Sequence, residues 1–367
     1  MNRAPGLSRI ARQFQIEGEF RRAVPYGSGH INDTYCAFFD RPDAASRSNP
    51  SRCILQRINQ NVFRDPAAVM ENIERVTAHV AAQIAAEPDR ARRVLTLIPS
   101  RDGHAWHVDE DGGYWRAYRM IEDAHTCDEI HSPEQAFEAA RAFGRFQRQL
   151  AGLPPPRLQD TIPDFHHTPK RFAVLEEMIE QDPAGRVAGA EPEIAFALKR
   201  KPMTAALLGA GLPERVTHND TKFNNVLLDD RTGEAICVID LDTVMPGLAP
   251  YDFGDLVRTA ASPAKEDEQD LSRVGLQFPF FEAIARGYLS TAGEFLTRAE
   301  KELLAFAGKL ITFEQGVRFL ADYLAGDTYY KVLRAGQNLD RCRAQFKLVA
   351  SIEAQEDAME RLVRSIG

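Results

Sequence analysis

The sequence predicts an α+β protein in two lobes. Strand-like segments gather before residue 120, helical patterns fill the chain after residue 132, and 367 residues are too many for one simple core. The division expected is 1–121, a small, mainly antiparallel β lobe with one helix, and 122–367, a large, mainly helical lobe.

Residues 8–20 read as a short helix running into a strand. Val24-Pro25-Tyr26-Gly27-Ser28-Gly29-His30-Ile31-Asn32-Asp33-Thr34-Tyr35 then holds two strand-like pieces around a turn. Glycines at 27 and 29 let backbone N–H groups approach a phosphate closely, although the same turn also serves a plain hairpin. His30, Asn32 and Asp33 either reach a ligand or pin the loop by local hydrogen bonds. A Pro/Ser-rich connection follows at 41–51, and Cys53–Asn59 is a third strand. Pro66 starts a helix expected to run from 67 to 86. Val94–Ser100 and His104–Val108 look like a hairpin, and Tyr114–Met120 is the next strand, left through Ile121-Glu122-Asp123.

In the second part, Ser132-Pro133-Glu134 opens a helix, and Phe137, Ala140, Phe143, Phe146 and Leu150 keep its apolar stripe until Gly152. Further helices are expected near 169–180 and over 193–210. After residue 250 they are expected near 252–259 and over 273–292, 297–325, 327–337 and 339–366, with Asp252 as the N-cap of the first. His166 and His167 read as capping or packing groups more readily than as substrate contacts.

Composition narrows the class. The chain is 44% hydrophobic and 27% charged, and its net charge of −8 argues against a nucleic-acid binder, which needs clustered cations. Five scattered cysteines without a Cys-x-x-Cys pair indicate neither a disulfide framework nor a zinc site. No apolar run approaches the ~20 residues of a membrane span, and the start lacks the apolar core of a signal peptide. A cytoplasmic enzyme, monomer or homodimer, is the expectation.

The chemistry is concentrated in Thr217-His218-Asn219-Asp220-Thr221-Lys222-Phe223-Asn224-Asn225 and its echo Ile239-Asp240-Leu241-Asp242. Val226–Leu228 and Ala235–Ile239 read as a hairpin that gathers Asp220, Asn225 and Asp240 around one small space. Phosphoryl transfer from a nucleotide uses that set. One carboxylate accepts the proton of the attacking hydroxyl, while a carboxamide and a second carboxylate hold Mg²⁺ on the phosphates. The Asp-to-Asn spacing and the later Asp match the protein-kinase template. Asp220 is therefore the expected base, Asn225 and Asp240 the metal ligands, and Lys222 a neutraliser of charge on the transferred group. His218 sits among apolar residues as a support, and Asp252 as a brace of the hairpin. In a kinase the third strand carries a Lys that pairs with a helix Glu; here Gln56 or Arg57 stands in that place, with Glu71 or Glu74 as helix partner.

These residues carry a resemblance. His218-x-Asp220-x-x-x-x-Asn225 with Ile239-Asp240 resembles the aminoglycoside phosphotransferase and choline kinase superfamily. Within it, Gly29-His30-Ile31-Asn32-Asp33-Thr34-Tyr35, His218–Asn225, Ile239–Gly247 and Arg318–Asp327 are similar to the N-acetylhexosamine 1-kinases. The resemblance implies a two-lobed, protein-kinase-like fold with ATP in the cleft and Mg²⁺ on Asn225 and Asp240. It also implies transfer to the anomeric hydroxyl of N-acetylglucosamine or N-acetylgalactosamine. Gly27, Ser28, Gly29, Gln56, Arg57, Glu71, Met120 and Glu122 would face the nucleotide. Asp220, His30, Asn32, Asp242, Arg318 and Tyr329 would face the sugar. Two alternatives stay open. One is a kinase of choline, an amino alcohol or an aminoglycoside, its cationic acceptor caged by Asp242, Glu314, Asp322 and late tyrosines. The other, prompted by the absent third-strand Lys, is a non-catalytic binding protein.

Overall fold

The computed structural model describes residues 6–27, 29, 31–40 and 51–366. The chain builds α1 (Leu7–Ala11), β1 (Glu19–Pro25), β2 (Asp33–Asp40), β3 (Ser51–Arg57), α2 (Pro66–Gln83), α3 (Arg90–Arg93), β4 (His107–Val108) and β5 (Tyr114–Arg119). The strands form one sheet in the order β1-β2-β3-β5-β4, every neighbouring pair antiparallel. Alternation along β3 and β5 sends Leu55, Trp115 and Ala117 to one face, where they pack with Phe14, Ala37 and Ile98. Gln56 and Arg116 therefore share the opposite face.

The remainder begins with β6 (Ala124–His125), α4 (Pro133–Leu150), α5 (Thr168–Gln181), α6 (Glu191–Arg200) and α7 (Ala206–Gly209). It continues through β7 (Arg215–Thr217), β8 (Val226–Asp229), β9 (Ala235–Val238) and β10 (Met245–Gly247). The helices α8 (Ala249–Ala260), α9 (Phe278–Ala292), α10 (Arg298–Glu302), α11 (Leu304–Leu324), α12 (Gln337–Glu353) and α13 (Glu356–Ile366) complete it. Small sheets β6-β8-β9 and β10-β7 sit among these helices. The α+β, two-lobed fold expected from the sequence is the fold observed, and no described helix is long and apolar enough to cross a membrane.

Close helix packing fixes the floor under the hairpin. A Cβ on Gly144 of α4 would stand 2.6 Å from the Tyr288 carbonyl oxygen, and one on Gly287 of α9 would stand 2.3 Å from that of Phe137. A glycine from each helix thus lets α4 and α9 approach backbone to backbone. Phe143, Phe146, Phe253, Phe281 and Tyr288 fill the core beside them.

Five expected elements differ, one being the 297–325 helix, which divides at Leu303 into α10 and α11. Residues 94–108 are not a regular hairpin: 96–98 run beside β5 through Ile98 N to Ala117 O (2.8 Å), and only His107–Val108 forms a strand. The 193–210 helix is broken into α6 and α7 around Pro202. Residues 327–337 form no long helix, because the Asp322 carboxylate accepts the backbone N–H groups of Thr328, Tyr329 and Tyr330 and wraps the chain around itself. The last stretch divides at 354–355 into α12 and α13.

Candidate active site

β7 delivers the chain to His218, just behind the wall of a cleft between the sheet and the helices. Asn219 turns it with φ 66°, a left-handed conformation that asparagine tolerates better than most residues. Its side chain fixes the turn by donating to Thr243 O (2.9 Å) and accepting from Thr217 Oγ1 (3.0 Å). Below it, Asp252 is wholly buried and accepts from His218 N (2.9 Å) and Asn219 N (2.7 Å), as well as from Gln147 Nε2 (2.5 Å). The expected N-cap role is corrected, since Leu248 caps α8 and Asp252 lies one turn inside it. Burial pushes its carboxyl up, and His218 with the backbone donors opposes that. Asp252→Ala would strand three buried donors, so we expect a loss of about 3 kcal/mol or more, read as a lowered Tm.

His218, also 0% exposed, uses Nδ1 to accept from Asp220 N (3.3 Å) and Nε2 to meet Ile239 O (2.9 Å). Edge contacts to Phe143 and Phe146 hold the ring. It ties the two acidic turns together from behind and does not line the cleft.

Asp220 faces the cleft. Lys222 Nζ lies 2.9 Å from its Oδ1, and Asn225 Nδ2 donates to its Oδ2 (3.2 Å) and to its carbonyl oxygen (2.8 Å). Burial alone would raise this carboxyl, but the Lys222 ammonium overrides it and holds Asp220 below the usual carboxylate range. Asp220 in turn holds Lys222 charged. With its nitrogen committed to Asp220, Asn225 leaves its amide oxygen for a cation. Its backbone oxygen accepts from Ile239 N (2.9 Å), which seats Asp240 beside it. Asp240 has φ 57°, and its carboxyl is pushed up to about 6 by burial, then by Asp242 and Asp220. Oxygens that crowd and repel one another at the cleft wall suit a hard divalent cation, so this donor set fits Mg²⁺ held by Asn225 and Asp240.

The cleft encloses about 1340 Å³ and includes Gly29, Asn32, Gln56, Asp220, Asp242 and Arg318 in its lining. Gly27 has φ 80°, which requires glycine, but it stands outside the lining; Ser28 and His30 lie outside the described residues. Asn32 donates to Asp242 Oδ2 (2.6 Å) and accepts from Asn59 N (2.9 Å), so it pins the glycine turn to the far lobe. Tyr329 is 58% exposed at the rim, its ring edge-on to Tyr330.

Several expected contacts do not converge here. Strand alternation turns Arg57 to the face away from the cleft, where its guanidinium would crowd a Cβ on Gly113. Glu71 is on the exposed side of α2, outside the cleft lining. Met120 and Glu122 lie past β5, and Glu122 is already engaged, its carboxylate by Arg52 and its carbonyl by Arg92 Nε (3.1 Å). Arg318, by contrast, does line the cleft, stacked on Phe165 (5.0 Å to the ring centroid) and donating to Gln315 (3.2 Å).

The sequence reading passed over two residues of this site, Asn72 and Arg116, and took a third, His166, as a capping or packing group. Asn72 is wholly buried and donates from α2 to Val244 O (3.0 Å). His166 bridges Glu314 (2.8 Å) and Asn219 O (3.1 Å). Arg116, only 1% exposed, pairs with Asp242.

Comparison with known proteins agrees with this geometry. The sequence profile of the phosphotransferase enzyme family matches residues 25–289. The structure is similar to a microcompartment-associated aminopropanol kinase (TM-score 0.55, 16% identity, covering 96% of this chain and 98% of that one). It is similar to an aminoglycoside phosphotransferase from Alicyclobacillus acidocaldarius subsp. acidocaldarius DSM 446 (0.59, 12%, 99% and 97%). It also resembles an amicoumacin kinase solved with AMP-PNP, Ca²⁺ and Ami (0.57, 15%, 95% and 92%). At such identities these likenesses show the fold. The chain belongs to the phosphotransferase enzyme family.

Proposed function

We propose that this member of the phosphotransferase enzyme family is an ATP- and Mg²⁺-dependent kinase of N-acetylhexosamines, transferring phosphate to the anomeric hydroxyl to give the sugar 1-phosphate. The observation that carries the choice of a neutral acceptor is the state of the acidic residues. A cationic acceptor wants an acidic or aromatic cage, and the acidic candidates Asp242, Glu314 and Asp322 are spent inside the protein. Asp242 is held by Arg116 and Asn32. Glu314 is held by His166 and by Thr168 Oγ1 (2.6 Å), and Asp322 by three backbone N–H groups and Asn338. What faces the acceptor instead includes the guanidinium of Arg318, a donor for sugar hydroxyls. Gln345, 5% exposed in the cleft wall, has an amide oxygen with no hydrogen-bond partner among the described residues. Beside it, Val274 and Leu348 offer an apolar surface, so this wall suits an N–H donor with a methyl group, as an acetamide provides.

In this reading Asp220 orients the anomeric hydroxyl and accepts its proton, and Lys222 meets the charge on the transferred group. A low-lying carboxylate is a weak base. An anomeric hydroxyl is more acidic than an ordinary alcohol, so positioning supplies much of the effect. Asn225 and Asp240 would hold Mg²⁺, which when bound neutralises charge on the nucleotide phosphates. Residues 1–121 would cover the nucleotide, and 122–367 would supply the chemistry and the acceptor site.

An amino-alcohol acceptor is the second reading, favoured by the exposed ring of Tyr329, whose face suits a cation. Mg-ATP turnover against N-acetylglucosamine, N-acetylgalactosamine, choline and an aminoglycoside, with phosphorus NMR of the product, separates the two. We expect an anomeric phosphate from an N-acetylhexosamine. Turnover confined to choline or the aminoglycoside would overturn the sugar assignment and leave the roles of Asp220, Asn225 and Asp240 standing.

A further inference from the structure

The third strand carries no lysine, and the sheet brings a different cation to its cleft face. In the register of β2, β3 and β5, Thr34 stands opposite Gln56 and Gln56 opposite Arg116. Same-face neighbours across antiparallel strands are close enough to interact, and these three form a chain. Gln56 Nε2 donates to Thr34 Oγ1 (2.8 Å), and Gln56 Oε1 accepts from Arg116 Nε (2.8 Å) and Nη2 (2.6 Å). Arg116 Nη1 pairs with Asp242 Oδ1, whose other oxygen accepts from Asn32 (2.6 Å). Arg116 is 1% exposed and is absent from the cleft lining.

We propose that Arg116 is the positioning residue that sets the metal-holding turn, acting through Asp242 on Asp240. The inference rests on the reading of Asp240 as a metal ligand.

The turn needs such an anchor. Asp240 is a non-glycine residue with φ 57°, followed by a single tight helical turn, Leu241–Thr243. Aspartate tolerates a left-handed conformation better than most residues, but still at some cost, so contacts on either side help to hold it. On one side Ile239 N is held by Asn225 O (2.9 Å). On the other, Arg116 and Asn32 grip both oxygens of Asp242. The carboxylates Asp220, Asp240 and Asp242 crowd one region, and Arg116 is the buried guanidinium bonded into it. The grip also joins the lobes, because Asn32 belongs to the glycine turn and Asp242 to the catalytic region. A lysine at position 116 would keep the charge but lose the planar fork that holds Gln56 and Asp242 together.

The test compares Arg116→Met, Arg116→Lys and Asp242→Asn with the parent protein. ADP affinity is measured by calorimetry in Mg²⁺ and in EDTA, beside thermal melts. We expect Arg116→Met to weaken ADP binding in Mg²⁺ by about 10- to 100-fold, the usual effect of removing a partner that orients a metal ligand. Binding in EDTA should stay unchanged. Arg116→Lys should recover part of the loss, and Asp242→Asn should move in the same direction as Arg116→Met. A residue that only stabilises the fold would lower Tm without changing the ratio of the two affinities. A folded Arg116→Met with the parent's Mg²⁺ enhancement overturns the proposal; if that variant does not fold, Arg116→Lys with the parent's ratio does so. A parent protein with no Mg²⁺ enhancement at all would instead sink the metal reading on which it rests.

Discussion

Asp220→Asn is expected to lower kcat by about 10²- to 10⁴-fold, the span associated with a positioned general base, with little change in affinity for Mg-nucleotide. The substitution keeps the shape of the side chain and its place in the turn, which the backbone holds independently through His218 and Asp252. It removes the charge that Lys222 and Asn225 converge on. Lys222 would then lack its partner and point a free ammonium at the transferred phosphoryl. Substrate binding is therefore not expected to weaken for want of positive charge. Because Asp220 is held below the usual carboxylate range, its proton affinity is modest, and the loss should fall toward the lower end for an acidic acceptor hydroxyl. Steady-state kinetics beside calorimetry of ADP with Mg²⁺ decide the matter. Equal losses in turnover and in nucleotide affinity would mean that Asp220 belongs to the metal site and not to the acceptor.

What the sequence made legible was local. Asp220, Lys222 and Asn225 lie within six residues of one another, and a strand–turn–strand pattern alone is enough to bring them near Asp240. Asp252 was readable as a brace but not as to how it works. Pro250 starts α8 earlier than the Asp suggested, so its oxygens point back at His218 and Asn219 instead of capping the helix. Arg57 and Gln56 could be separated by alternation only once it was known which face of β3 looks into the cleft. Arg116 needed more, because its role depends on the register of three strands and on Asp242, 126 residues away. A signal was present: an arginine on the same strand face as Tyr114 and Tyr118 is an expensive thing to bury unpaired. The 327–337 segment failed for a similar reason. Its composition permits a helix, but a single buried carboxylate outside the segment, Asp322, takes its N–H groups.

Asp240→Ala should show the opposite division from Asp220→Asn. On the proposal that Asp240 holds the cation, its loss should weaken Mg-nucleotide binding and reduce kcat/KM by about 10³-fold or more, since such an ion supplies several kcal/mol of charge stabilisation. The left-handed turn is less easily kept by alanine than by the native aspartate, so part of the loss could come from the backbone. Asp240→Asn separates the two effects, because asparagine tolerates φ 57° and keeps an oxygen donor while giving up the charge. Removing the carboxylate also relieves its repulsion with Asp242 and Asp220, the neighbours that, after burial, push Asp240 up. Asp240→Asn should therefore melt no lower than the parent without metal, while losing stabilisation that Mg-ADP gives the parent. Melts with and without Mg-ADP read this directly. A variant that still gains the parent's full stabilisation from Mg-ADP would move the cation away from Asp240, and Asp242 would be the next carboxylate to test.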